Sequence, residues 1–97
     1  MSREETNKAL LFLKHLEQQP EAYEFLYPVD YKTLGLDDYP LIIKNPMDLS
    51  TVKKKVKSGK YSNLSEVVAD VSLIWDNCRT YNMVGSVILY LADLPAS

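Results

Sequence analysis

One cysteine, one histidine and three glycines are all that this chain of 97 residues holds of those types. With Cys78 alone, neither an internal disulfide nor a cysteine-rich zinc site can form, which suits a reducing compartment such as cytosol or nucleus. His15 has no second imidazole at metal-ligand spacing, and so few glycines make no phosphate-cradling loop. Nothing in the inventory asks for a metal or cofactor. No apolar run approaches the roughly 18 residues that span a bilayer. The start, Met1-Ser2-Arg3-Glu4-Glu5, is acidic and polar, unlike a secretory signal. A net charge of −2 lacks the basic excess that strong nucleic-acid binding needs. What is present is 46% hydrophobic and 25% charged, the balance of a single globular domain over residues 1–97 with one modest core. The abrupt close at Leu94-Pro95-Ala96-Ser97 suits a piece of a longer protein.

Periodicity predicts four helices. The first spans 3–18: Ser2 and Glu5 form a capping box, Ala9, Leu10, Leu13 and Leu16 or Phe12 recur at helical steps, and Pro20 stops it. The second spans about 48–57, with Asp48 as cap, Leu49, Val52 and Val56 on one face, and Ser58-Gly59 as a left-handed end. The third opens at Asn63-Leu64-Ser65-Glu66 and carries Leu64, Val67, Val68, Val71, Trp75, Cys78 and Tyr81 inward. A short fourth helix runs from about Ser86 to Leu94, with Ile88, Leu91 and Ala92 or Leu94 inward. Between the first two lies Tyr23 to Met47, broken by Pro28, Gly35, Pro40 and Pro46. Loops longer than about 12–15 residues are usually functional or disordered. This one is too rich in aromatic and aliphatic residues for disorder, so it packs on the bundle and can wall a pocket.

Single residues are ambiguous. Asn82 closes the third helix and reads equally as a C-terminal cap or as an amide offering a donor and an acceptor to another amide. Tyr39 and Tyr81 read by default as core aromatics with surface hydroxyls. Lys53-Lys54-Lys55 and Lys57 read as the solvated face of the second helix, and His15 as exposed. Cys78 lies on an apolar face without a histidine partner, which favours a buried structural thiol over a nucleophile. Asp37-Asp38 before Tyr39-Pro40 marks a turn or the start of a short helix. No nucleophile–base pair is available, so an enzyme is hard to build from these residues.

Together the segments resemble a bromodomain, the four-helix module that reads acetyl-lysine, from about Ala9 to Leu94. The resemblance is carried by Pro28-Val29-Asp30, Leu34, Leu36 and Asp38-Tyr39-Pro40. It continues through Ile42-Ile43-Lys44-Asn45-Pro46-Met47-Asp48-Leu49-Ser50-Thr51-Val52, Tyr61, Asp70, Asn77-Cys78-Arg79-Thr80-Tyr81-Asn82, Ser86 and Ile88. It implies an all-α, left-handed four-helix bundle whose long first loop and third loop, Asn82 to Gly85, frame a pocket. It further implies that Asn82 donates to the acetyl carbonyl and Tyr39 holds that carbonyl through water. Val29, Leu34, Leu36 and Cys78 would line the walls, Phe25 would flank the methyl, Tyr81 would close the side, and Ile88 would guard the mouth. The implied role is a non-catalytic, nuclear, monomeric module within a larger chromatin or transcription regulator. Its implied partners are acetylated histone tails or other acetylated proteins.

Such a pocket excludes unmodified lysine because an unpaired ammonium costs several kcal/mol in an apolar cavity. Burying four methylenes contributes up to about 3 kcal/mol and the asparagine bond ~0.5–1.5 kcal/mol net. After ordering costs, one mark binds at tens to hundreds of micromolar, as an order of magnitude. The chain departs from the family pattern at Tyr23-Glu24-Phe25, where many members have aromatic-proline-phenylalanine, at the apolar Met83-Val84-Gly85, and at Pro95. Those departures leave an alternative open: acetyl-independent docking of protein or nucleic acid through Lys53–Lys57.

Overall fold

The computed structural model describes the backbone of residues 1–93 and the side chains of residues 1–83. Every regular element among the described residues is helical. Helix α1, Arg3–Glu17, begins at the expected capping box: Glu5 N–H donates to Ser2 Oγ at 3.1 Å and Ser2 N–H to Glu5 Oε1 at 3.4 Å. Glu4 and Glu5 in its first turn and Lys14 and His15 in its last complement the helix dipole. Pro20 does more than stop α1. It opens a 3-10 helix, Pro20–Phe25, because a fixed φ and a missing N–H suit a first helical position.

The long loop is ordered by its own backbone. Gly35 takes φ +72°, and Leu36 N–H donates to the Tyr31 carbonyl at 2.8 Å. The short helix α2, Tyr39–Ile42, follows with Pro40 in its first turn, as the Asp37-Asp38 signal anticipates. Ser50 N–H donates to the Leu26 carbonyl at 3.0 Å, pinning the loop to α3, Leu49–Lys57. Asp48, buried, caps α3 by accepting from Thr51 N–H at 3.0 Å and Thr51 Oγ1 at 2.5 Å, and also from the Ser50 hydroxyl. At the other end Gly59 adopts φ +72°; Lys60 N–H reaches the Lys55 carbonyl at 2.9 Å and Gly59 N–H that of Val56 at 3.2 Å. This is a Schellman closure.

Helix α4, Leu64–Asp93, starts where Glu66 N–H donates to Asn63 Oδ1 at 3.1 Å. It then corrects the expected topology. The helix is continuous through 82–85, so the anticipated third loop and separate fourth helix from Ser86 are absent. The reason is local: 82–93 contains no proline, and the one glycine, Gly85, costs only about 1 kcal/mol in a helix interior. The helix phase also differs slightly. Ile74 is buried and Val68 is 52% exposed, whereas the expected inward set included Val68 and left out Ile74. The all-helical bundle with a long ordered loop between its first two main helices stands as expected. No helix among the described residues is long and apolar enough to cross a membrane.

The core joins α1, α3 and α4. Leu13, Leu49, Val52 and Val67 are fully buried, with Ala9, Val56, Tyr61, Val71 and Ile74 around them. Each large aliphatic there contributes about 1.5–3 kcal/mol of burial. Lys55 departs from the solvated face expected of its run. It pairs with Asp70 at 2.7 Å and lies over the Tyr61 ring, 4.7 Å from its centroid. Tyr61 donates to the same Asp70 oxygen at 2.6 Å. Consecutive helical residues turn by about 100°, so a lysine run cannot all face one way.

Candidate functional site

Positions 74, 77, 78, 81 and 82 form one stripe of α4, at steps of three and four. Opposite this stripe stand the 3-10 helix, the loop and α2. Between them opens a cavity of about 480 Å³, lined by Ile74, Asn77, Cys78, Tyr81 and Asn82 from α4. Its facing wall comprises Tyr23, Glu24, Phe25, Tyr27, Val29, Leu34, Leu36, Tyr39 and Met47. A cavity of that size with few polar groups suits a small organic group on an apolar stem.

Tyr39 is the most buried residue of the loop wall, at 9% exposure. Its ring stacks on Tyr31, with centroids 6.1 Å apart, and meets the Tyr81 ring edge-on at 5.0 Å. Burial, reinforced by the neighbouring Cys78 sulfur, pushes its phenol above the ordinary tyrosine range. Tyr39 is therefore a neutral O–H group at any physiological pH. Tyr81 Oη donates to Asp38 Oδ1 at 2.8 Å. That bond, helped by partial burial and by the Asp38 charge, raises the Tyr81 phenol as well. Phe25 packs on Trp75 with centroids 5.0 Å apart at 56°.

Asn82 lies within α4, exposed, and no non-glycine residue among those described has positive φ. The cap reading of Asn82 is thereby overturned: the helix continues past it. Its Nδ2 donates to Cys78 Sγ at 3.4 Å, one turn back. Sulfur is a weak acceptor, so this amide N–H is held without being strongly committed. Cys78 is half-buried and faces the cavity, a more open position than a purely structural thiol has. Asn77 Nδ2 donates to the Asn45 carbonyl at 2.8 Å, fastening α4 to the segment before α3.

Of the residues singled out from sequence, Phe25, Val29, Leu34, Leu36, Tyr39, Cys78, Tyr81 and Asn82 come together around this one cavity. Leu34 is 64% exposed and so belongs to the rim. The side chain of Ile88 lies outside the described residues. Tyr27, Met47, Ile74 and Asn77 were not anticipated as lining; extending the 78, 81, 82 spacing one turn back would have found the last two. Among the described residues no three His, Cys, Asp or Glu side chains gather as metal ligands would.

The family model "Bromodomain" matches residues 9–94. Transcription factor GTE1 of Arabidopsis thaliana is 49% identical over 80 residues, covering 82% of this chain and 21% of that protein. Transcription factor GTE11 of the same plant is 47% identical over 81 residues, covering 84% of this chain and 13% of its own length. The chain thus spans only a small part of these relatives. With most of its length matched by that family model, the chain belongs to the bromodomain family.

Proposed function

We propose that residues 1–97 form a single reader module for acetylated lysine, on histone tails or other chromatin proteins. In this reading the module binds without catalysis and sits in a larger nuclear protein that regulates transcription, as the names of its relatives suggest. The observation that carries the proposal is the apolar cavity that has both Asn82 and Tyr39 in its lining.

The chemistry follows from three groups. The acetyl carbonyl replaces the Cys78 sulfur as acceptor of the Asn82 N–H, exchanging a weak hydrogen bond for a stronger one. The neutral Tyr39 hydroxyl supports the same oxygen through a water. Val29, Leu36, Phe25 and Cys78 receive the methyl and the methylene stem. Free lysine is rejected because its ammonium finds no buried carboxylate in the lining to offset its lost hydration.

Calorimetric titration of acetylated and unmodified histone peptides tests the proposal. Binding should require the acetyl group and weaken about tenfold or more in Asn82→Ala, since a buried carbonyl left unpaired costs about 1–3 kcal/mol. Affinity indifferent to acetylation, or untouched by Asn82→Ala, would sink the idea. Acetyl-independent docking through Lys53–Lys57 is the weaker reading, because Lys55 is tied to Asp70 and Lys53 faces Glu17 at 3.7 Å.

A further inference from the structure

A second cavity, of about 510 Å³, lies where the end of α1, the loop and α3 meet. Its cations are Lys53, Lys54 and Lys57, and its one carboxylate is Glu17. Glu17 is taken by Lys53 at 3.7 Å. Lys54 and Lys57, both exposed, have no carboxylate partner among the described residues. The groove therefore carries uncompensated positive charge on a chain whose net charge is −2.

Its position gives that charge a use. Tyr27, 71% exposed, lines both this groove and the Asn82 cavity, so one side chain separates the two. Pro28 follows Tyr27 and disfavours a helical backbone there, so the 3-10 helix does not continue through Tyr27. On the first cavity's own rim the charge is opposite, through Glu24. A peptide leaving the Asn82 cavity over Tyr27 meets ammonium groups; one leaving past Glu24 meets a carboxylate.

We infer that the Lys53–Lys54–Lys57 groove takes an aspartate or glutamate side chain of the same peptide whose acetyl-lysine enters the Asn82 cavity. This rests on the acetyl-lysine reading proposed above. The module then favours acetyl-lysines with an acidic neighbour over those set in wholly basic tails. Ammonium groups on flexible stems are suited to this, being point charges without strict geometry. Exposed ion pairs are individually weak, so the groove tunes selectivity and leaves the acetyl requirement to the apolar cavity.

The test uses two acetylated peptides that differ only in Glu or Gln at about two to four residues from the mark, a reach of roughly 3.3 Å per residue. Each is made with the acidic position on either side and titrated against wild type, Lys54→Gln/Lys57→Gln and Lys54→Glu/Lys57→Glu. The Glu peptide should bind wild type about three- to fivefold tighter than its Gln twin at low salt. That advantage should shrink as salt shortens the screening length, vanish in the Gln variant and reverse in the Glu variant. The Gln peptide should bind all three proteins alike. Acetyl-dependent binding with no preference between the peptides overturns the groove and leaves the acetyl-lysine reading standing. Absence of acetyl dependence with every peptide removes both.

Discussion

The Tyr81 hydroxyl donates to Asp38 at 2.8 Å, joining α4 to the residue that immediately precedes Tyr39. The Tyr81 ring also meets the Tyr39 ring edge-on at 5.0 Å. These two contacts set the spacing between the helix stripe that carries Asn82 and the loop wall that carries Tyr39. Cavity width is thus fixed by a hydrogen bond between distant parts of the chain.

Tyr81→Phe keeps the ring contact and removes the bond. The expected outcome is a loss of about 0.5–1 kcal/mol in stability, because Asp38 can return to water. Acetyl-peptide affinity should fall about two- to fivefold through relaxed spacing, a smaller effect than loss of the asparagine bond. The folded phenol is raised above its ordinary value of 10.0, first by the Asp38 hydrogen bond. Its contribution is then full below pH 10 and lost as pH rises through the higher folded value. Urea denaturation of both proteins from neutral to alkaline pH measures this; identical midpoints at neutral pH would show that the bond contributes nothing.

Asp70 accepts from both Lys55 and Tyr61, at 2.7 and 2.6 Å, and so clamps α3 to α4. Burial alone would raise its carboxyl, but the hydrogen bonds from Lys55 and Tyr61 and the Lys55 charge outweigh it and hold it below 3.8. A depressed acid stabilises the fold above its unfolded value and loses that contribution as pH falls through its folded value. Asp70→Asn should therefore cost about 1–2 kcal/mol at neutral pH, with the gap between variant and wild type closing below about pH 4. Denaturation midpoints taken between pH 3 and 7 decide it, and a gap that does not change with pH would refute the charged role.

Gly59 sits at φ +72° with nothing within 4 Å of where a Cβ would stand. Only backbone strain then opposes a side chain there. Gly59→Ala should destabilise by about 1 kcal/mol, and Gly59→Asn by less, since asparagine tolerates the left-handed region best of the remaining residues. Thermal unfolding of the two variants tests the order; equal losses would point to a steric cause instead.

What could be read from sequence divides along physical lines. Caps at Ser2–Glu5, Asp48 and Asn63–Glu66 were legible because a cap is a hydrogen bond among neighbours in the chain, and so was the left-handed Gly59. That Phe25, Val29, Leu34, Leu36, Tyr39, Cys78, Tyr81 and Asn82 line one cavity was legible because the pattern ending in Asn77-Cys78-Arg79-Thr80-Tyr81-Asn82 is specific to a family. The exchange of Val68 for Ile74 in the core was not, since the phase of a stripe rich in β-branched residues depends on what packs against it. Continuity of α4 through Gly85 was missed because one glycine is a weak breaker, and only summed context decides whether a helix stops there. Lys55 was misread because a run of like charges says nothing about which member rotates inward.

Tyr39 separates packing from recognition within one residue. Its ring stacks on Tyr31 and meets Tyr81 edge-on, while its hydroxyl makes no hydrogen bond to another described residue. Tyr39→Phe should leave stability within about 0.5 kcal/mol of wild type, because the ring contacts survive and no protein hydrogen bond is lost. In the acetyl-lysine reading it should still weaken acetylated peptides about three- to tenfold, the worth of one water-mediated bond to the carbonyl. Because burial raises the phenol above its ordinary range, wild-type affinity should be flat from about pH 6 to 9 as far as Tyr39 is concerned. Tyr39 and Asn82 would act on the same oxygen, so Tyr39→Phe in an Asn82→Ala background should cost less than it does alone. Four titrations complete that cycle. Strict additivity would mean that the two side chains serve different atoms, and the shared-carbonyl geometry would have to be given up.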